Sequence, residues 1–303
     1  MGAFLDELAV RLADKWLSLL VLPGLLLLGA IEVGRTLGQA HWADRPRLVN
    51  AATQIAHNLS RHGPVTVGIA AVAALLAAAS LGLLARGLGQ LLQRAWLGNW
   101  PRWARWASRR LQGRRLQRWN AAQDQYAAAV LHSHDGRQIN ESNDAGLEDL
   151  AAKRNAIALA PPSRPTWMGD RMASVEARVR AEYGLDLAAA WPRLWLVFPD
   201  STRASLRDAY NGFATNATLA AWGVLYLLLG ILWWPAAVVG LAVLWSGWER
   251  GHDAIDVLAS LVEATVDIHG RDLATALGLI APEQTTIEPT TGQSVTRRLR
   301  KGA

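Results

Sequence analysis

Uncharged, apolar residues gather into three runs along this chain, 16–31, 64–85 and 209–248, and the last holds forty residues without one Asp, Glu, Lys or Arg. A hydrocarbon core of ~30 Å is crossed by a helix of about 20 residues, so the first two runs fit one crossing each. The third, as one helix, would be about 60 Å long, roughly twice what is needed. Trp233-Trp234-Pro235 lies near its midpoint, where an interfacial turn places aromatics and proline. Trp222 and Trp245, by contrast, are spaced as two aromatic belts would be on one continuous helix. The pattern predicts an all-α integral membrane protein with four transmembrane helices, the last two a tight hairpin; one long span is the alternative.

Outside these runs the period is helical and the composition polar, giving five segments. In 1–85, Phe4, Leu5, Leu8 and Leu12 share a face of a short interfacial helix before the first span. Pro23-Gly24 lies inside that span and predicts a kink. Leu48, Ala52, Ile55 and Leu59 predict an amphipathic helix in the connector. The second span carries small residues four apart, Ala70, Ala74, Ala78 and Gly82, which let another helix backbone approach closely. Compositional bias toward alanine is the competing explanation.

The 86–208 segment opens on nine arginines between Arg86 and Trp119 with no acidic residue among them. The positive-inside rule puts this end in the cytoplasm, and with a hairpin at 209–248 both termini follow it there, in a bacterial inner membrane. Arg102, Arg109, Arg110, Arg114 and Arg115 alternate with Trp103 and Trp106, a pattern expected of a helix at the anionic headgroup level. Gripping single-stranded nucleic acid by stacking and charge is the less favoured reading. Residues 132–147 predict a solvent loop, and a helix from about 170 is stopped by Gly184. The stretch 191–199 is too short to span and apolar enough to lie in the interface. Beyond the 209–248 hairpin, Ile255, Leu258, Val262, Thr265 and Leu273 mark one face of a cytoplasmic amphipathic helix over 249–280, and 281–303 reads as a flexible tail.

Composition removes more than it adds. The chain has no cysteine, which excludes disulfides, thiolate nucleophiles and thiolate metal sites. The net charge of +6 sits beside the spans and points to anionic lipid. Candidate chemistry is sparse. His132, His134 and Asp135 offer metal ligands within the predicted loop, and His252 with Asp256, near Glu249, Asp253, Asp267 and His269, offers an acid–base or metal set. A solvated loop and a solvated helix face are the favoured readings of the two groups. Neither a nucleotide-binding nor a hydrolase motif occurs, and no catalytic, cofactor or metal site is expected. Glu32 marks the outer end of the first span and nothing charged lies deeper, which argues against an ion-coupled carrier.

Three passages, ADKWLSLLVLPGLLLLGA at 13–30, PTWMGDRMASVEARVRAEYGLDLAAAWPRLWLVFPD at 165–200 and LGILWWPAAVVGLAVLWSGWERG at 229–251, together resemble a group of uncharacterised actinobacterial multi-pass membrane proteins. The resemblance covers most of the chain and carries over no activity and no functional residue. The expectation is a non-enzymatic homo-oligomer, a scaffold, sensor or channel-like effector with a cytoplasmic helical assembly and a cytoplasmic protein partner. A membrane-bound enzyme acting on lipid or lipid-linked substrates is the alternative, and a small-solute transporter the third.

Overall fold

Alanine- and leucine-rich sequence with few internal prolines favours helix nearly everywhere. The computed structural model describes residues 21–61, 63–135, 141–280 and 287–300, and among these it is all-helical, with no strand. In order these are α1 (Leu22–Leu37), α2 (Arg45–Arg61), α3 (Pro64–Trp96), α4 (Arg105–Asp135) after a single 3-10 turn, α5 (Glu141–Ile157), α6 (Trp167–Tyr183), α7 (Leu187–Val197), α8 (Asp200–Leu229), α9 (Trp234–Ala276) and α10 (Pro289–Leu299). They form two compact units, 1–92 with 214–250, and 93–213 with 251–303.

Unit 1 has a small core of Leu27, Ala85, Trp222, Leu229 and Ala236. Among the described residues two helices, α3 and α8, are long and apolar enough to cross a membrane. Length and composition do not extend that to four: α1 has sixteen described residues, and the uncharged part of α9 stops at Trp248. The predicted interfacial helix through Phe4 and Leu12 lies outside the described residues. Pro23 lies near the start of the described part of α1 and follows Val21, whose backbone is already helical, so the predicted kink falls at the edge of the described residues.

The uncharged run 209–248 is broken at 230–233, where the amides of Gly230, Ile231 and Leu232 bond carbonyls three residues back. Gln39 clasps this turn: its amide nitrogen donates to the Gly230 and Ile231 carbonyls at 3.0 and 2.7 Å, and its oxygen accepts from the Trp234 N–H at 3.1 Å. The Trp233 indole donates to the Trp42 carbonyl, and Trp42 packs edge-on against Trp234 at 5.1 Å.

Unit 2 buries Met168, Val175, Leu194, Phe198, Phe213, Ile255 and Val262 in a separate core. The stripe Ile255, Leu258, Val262, Thr265 and Leu273 is the buried side of α9. Beside it a polar seam ties α9 to α6 in parallel register: Arg171 to Asp256, Arg178 to Glu263 at 2.8 Å, and Tyr183 to Asp267 at 3.0 Å. Burial, with Asp267's hydrogen bond and charge, pushes the Tyr183 phenol up to about 12. α4 and α5 lie side by side; Arg115 donates to the Ile157 carbonyl at 2.7 Å and the Trp119 indole to Ala158 at 3.0 Å.

One expectation is narrowed here and two change. The 191–199 stretch packs one side into unit 2: Leu194 and Phe198 are buried in its core, while Leu196 on the other side is exposed. The predicted loop 132–147 is helical at both ends, up to Asp135 and from Glu141. The predicted tail contains α10, whose Val295 is buried. Gly184 ends α6 in the left-handed conformation (φ 65°), and its missing Cβ leaves room for the Pro289 carbonyl. α10 is thereby seated on the α6–α7 turn, with Thr296 accepting from the Asp186 N–H at 2.9 Å and Arg300 paired to the Asp186 carboxylate.

That pair makes the seat acid-sensitive. Burial pushes the Asp186 carboxyl up, but the Arg300 hydrogen bond, the Ala189 N–H and the charges of Arg300 and Arg180 outweigh it and hold it below the ordinary carboxylate range. A carboxylate lowered on folding contributes stability that is present above its unfolded pKa and lost as pH falls through its folded one. The thermal midpoint is expected to drop on acidification below about pH 4, and Asp186→Asn to flatten that limb of the profile. Identical acid limbs in both proteins would show that this pair does not hold α10.

Candidate functional site

Six consecutive residues, Thr166 to Arg171, each reach a different part of unit 2. Thr166 caps α6, its Oγ1 accepting from the Gly169 N–H at 3.2 Å while donating to the Trp96 carbonyl. Trp167 stacks on His252 with ring centroids 5.2 Å apart, and Met168 is buried in the core. At Gly169 a Cβ would stand 2.8 Å from the Leu97 carbonyl oxygen, so only glycine allows the 97–99 segment this close. Asp170 accepts the N–H groups of Ser163 and Arg164 at 2.8 and 2.7 Å, and its other oxygen lies 2.8 Å from Arg115 in an ion pair without hydrogen-bond alignment. Arg171 is buried, donating to Asp256 and, at 2.8 Å, to Ser260.

Burial pushes the Asp170 carboxyl above its usual range, opposed by the Arg164 and Ser163 amides and the Arg115 charge. Burial likewise lowers the Arg115 guanidinium, opposed by Asp170. Arginine stays charged at any accessible pH, so Arg115 is a fixed cation tying α4 to this corner. These charges are spent on holding segments together.

Alongside the corner runs a cleft of about 420 Å³, within the range of small-molecule sites. Gly169, Met172, Ala173 and Glu176, three and four residues apart, form one wall from a single face of α6. Leu187, Ala188, Trp191 and Pro192 of α7 form the other, with Leu97 and Val262 adding apolar surface. Asn99 and Arg164 belong to the end beside the start of α6, and the Arg164 guanidinium donates to the Asn99 side-chain oxygen at 3.2 Å.

The residues singled out from sequence are dispersed. Arg102, Trp103, Trp106, Arg109, Arg110 and Arg114 are exposed, the two indoles at 81% and 69%. Arg115 departs from that set, since it turns inward to Asp170 and Ile157. Of the small-residue row, Ala78 and Gly82 are buried, with Ala78 against Gly24 of α1, and Ala70 and Ala74 are exposed. His132 is exposed at the end of α4, and the side chains of His134 and Asp135 lie outside the described residues. The group around His252 does not converge: His252 lies on Trp167, Asp256 on Arg171, Asp267 on Tyr183, and His269 on Asp272. Among the described residues no cluster of His, Asp and Glu could hold a metal ion. The cleft itself has no sequence signature, because its walls are ordinary helix faces. No family model matches the chain, and no curated protein or solved structure matches it.

Proposed function

We propose that this chain is a non-enzymatic, oligomeric protein of the bacterial inner membrane, whose unit 2 serves in the cytoplasm as a scaffold or sensor for a protein partner. One observation carries the membrane reading: only 11% of the most apolar stretch of α3 is buried. Val65, Ile69, Val72 and Leu76 recur along one face of it and are exposed. Such a face is stable against lipid and costly in water, by about 25 cal/mol for each Å².

Four spans with both termini cytoplasmic agree with unit 1. The connector residues Gln39 and Trp42 hold the 230–233 turn, as expected if both lie on the outer side. Exposed Trp103 and Trp106 among exposed arginines suit anchoring to anionic headgroups. Ala70 and Ala74 extend the buried Ala78–Gly82 row and leave a bare small-residue face for a second copy. The scaffold or sensor role is favoured over catalysis because the buried charges of unit 2 bind its own segments together.

Reporter fusions after residues 45, 150 and 303 test the arrangement. The first is expected outside and the other two inside; a fusion after 150 active only outside would overturn it. Ala70→Leu with Ala74→Leu is expected to dissociate the purified oligomer without lowering the melting temperature. An unchanged particle mass would remove α3 from the subunit interface.

A further inference from the structure

The cleft beside the Trp167–Asp170 corner has one uncompensated charge. Arg164 donates to the neutral Asn99 side chain, and no carboxylate among the described residues pairs with its guanidinium. The nearest acid in sequence, Asp170, holds the Ser163 and Arg164 backbone amides and Arg115, so it fixes the position of Arg164 without neutralising it. Glu176 lies further along α6, about 9 Å beyond Asp170 by helix rise, and is already bonded to Arg180 at 3.2 Å. Between these poles the walls are hydrocarbon and indole: Leu97, Met172, Leu187, Trp191 and Val262.

A peptide backbone laid in such a trough would bury N–H and C=O groups against walls that supply no partners. A flexible alkyl chain has no such requirement. A guanidinium fork positioned in advance by a carboxamide and a pinned backbone matches a carboxylate in bidentate fashion.

From this geometry we propose that the cleft binds a single-chain anionic amphiphile of the fatty-acid type. Its carboxylate sits on Arg164 and Asn99, and its alkyl chain lies along Leu97, Met172, Leu187 and Trp191. The site stands on unit 2 alone and does not depend on the membrane reading. It supplies the sensor role with a ligand.

The test is photolabelling of the full-length protein in phosphatidylcholine nanodiscs with diazirine-tagged palmitate, the sites being located by mass spectrometry. Label is expected within 169–176 and 187–192. Unlabelled palmitate should compete at least tenfold better than hexadecanol, because the alcohol forfeits the charged hydrogen bonds. Arg164→Gln is expected to weaken labelling roughly tenfold, and Arg164→Lys to recover part of it. Label confined to 64–96, or equal competition by the alcohol, would overturn the proposal while leaving the membrane reading untouched. Should Arg164→Gln not fold, the comparison of palmitate with hexadecanol on the unaltered protein decides between these outcomes.

Discussion

Asp170→Ala is expected to destabilise unit 2 by roughly 3–5 kcal/mol, the usual loss when one partner of a buried ion pair is removed. Two consequences add. Arg115, mostly buried, loses its counter-charge, and the Ser163 and Arg164 amides lose their acceptor. A change of this size lowers a melting midpoint by on the order of 10 °C in a unit of this length. Amide exchange should accelerate first at 163–171 and at 97–99, the segments joined by Thr166 and Gly169. Asp170→Asn retains an oxygen for the two amides but not the charge, so it should fall between the two proteins. A loss under about 1 kcal/mol for Asp170→Ala would mean that Arg115 finds water or another partner and that the corner is not the keystone of unit 2.

Much of unit 2 was legible because local period carries the information. The α9 stripe from Ile255 to Leu273 recurs at helical spacing, and Gly184 stops α6 where a left-handed residue is needed. The corner was visible only as part of the 165–200 passage, with no role attached to its residues. Its partners, Arg115, Leu97 and Asp256, lie tens of residues away and share no spacing rule with it. Arg115 illustrates the limit. In sequence it is one of nine arginines beside a span, and only the fold distinguishes the one that faces Asp170 from those that face outward. The 191–199 stretch is ambiguous for a related reason, since an apolar turn of helix looks the same in sequence against lipid and against a protein core. α10 was missed because it is a polar eleven-residue segment whose buried side rests on Gly292 and Val295 rather than on large apolar residues.

The second large effect is expected at the α8–α9 hairpin. A Cβ on Gly223 would stand 2.5 Å from the Leu244 backbone nitrogen, one on Gly240 would stand 2.6 Å from that of Leu227, and Gly247 faces Ala220. As the residue number falls along α8 it rises along α9, so the glycines line one antiparallel seam. Gly223→Leu must push backbone rather than a flexible side chain, at a cost of about 3 kcal/mol or more. Because the chain has no cysteine, a pair introduced at Ala220 and Gly247 reports the seam directly. Oxidation should link the pair readily in the otherwise unaltered protein and poorly with Gly223→Leu. Equal linking in both would mean that the seam accommodates the larger side chain. Gly223 and Gly230 mirror Gly240 and Gly247 about Pro235, a regularity the sequence reading did not use when it placed the hairpin from the length of the run and the Trp-Trp-Pro turn.

The seat of α10 also sets a timetable. Asp186 is bonded to Thr296 and Arg300, 110 and 114 residues further along the chain. At ribosomal speeds of about 5–20 residues per second, a nascent chain waits roughly 5–20 s between making the α6–α7 turn and making the helix that covers it. The uncharged 209–248 run emerges within that interval and is available to a bilayer before unit 2 can close. Contacts of such sequence separation form late, and for those seconds the Asp186 carboxylate and the groove destined for Val295 stand open to chaperones and proteases.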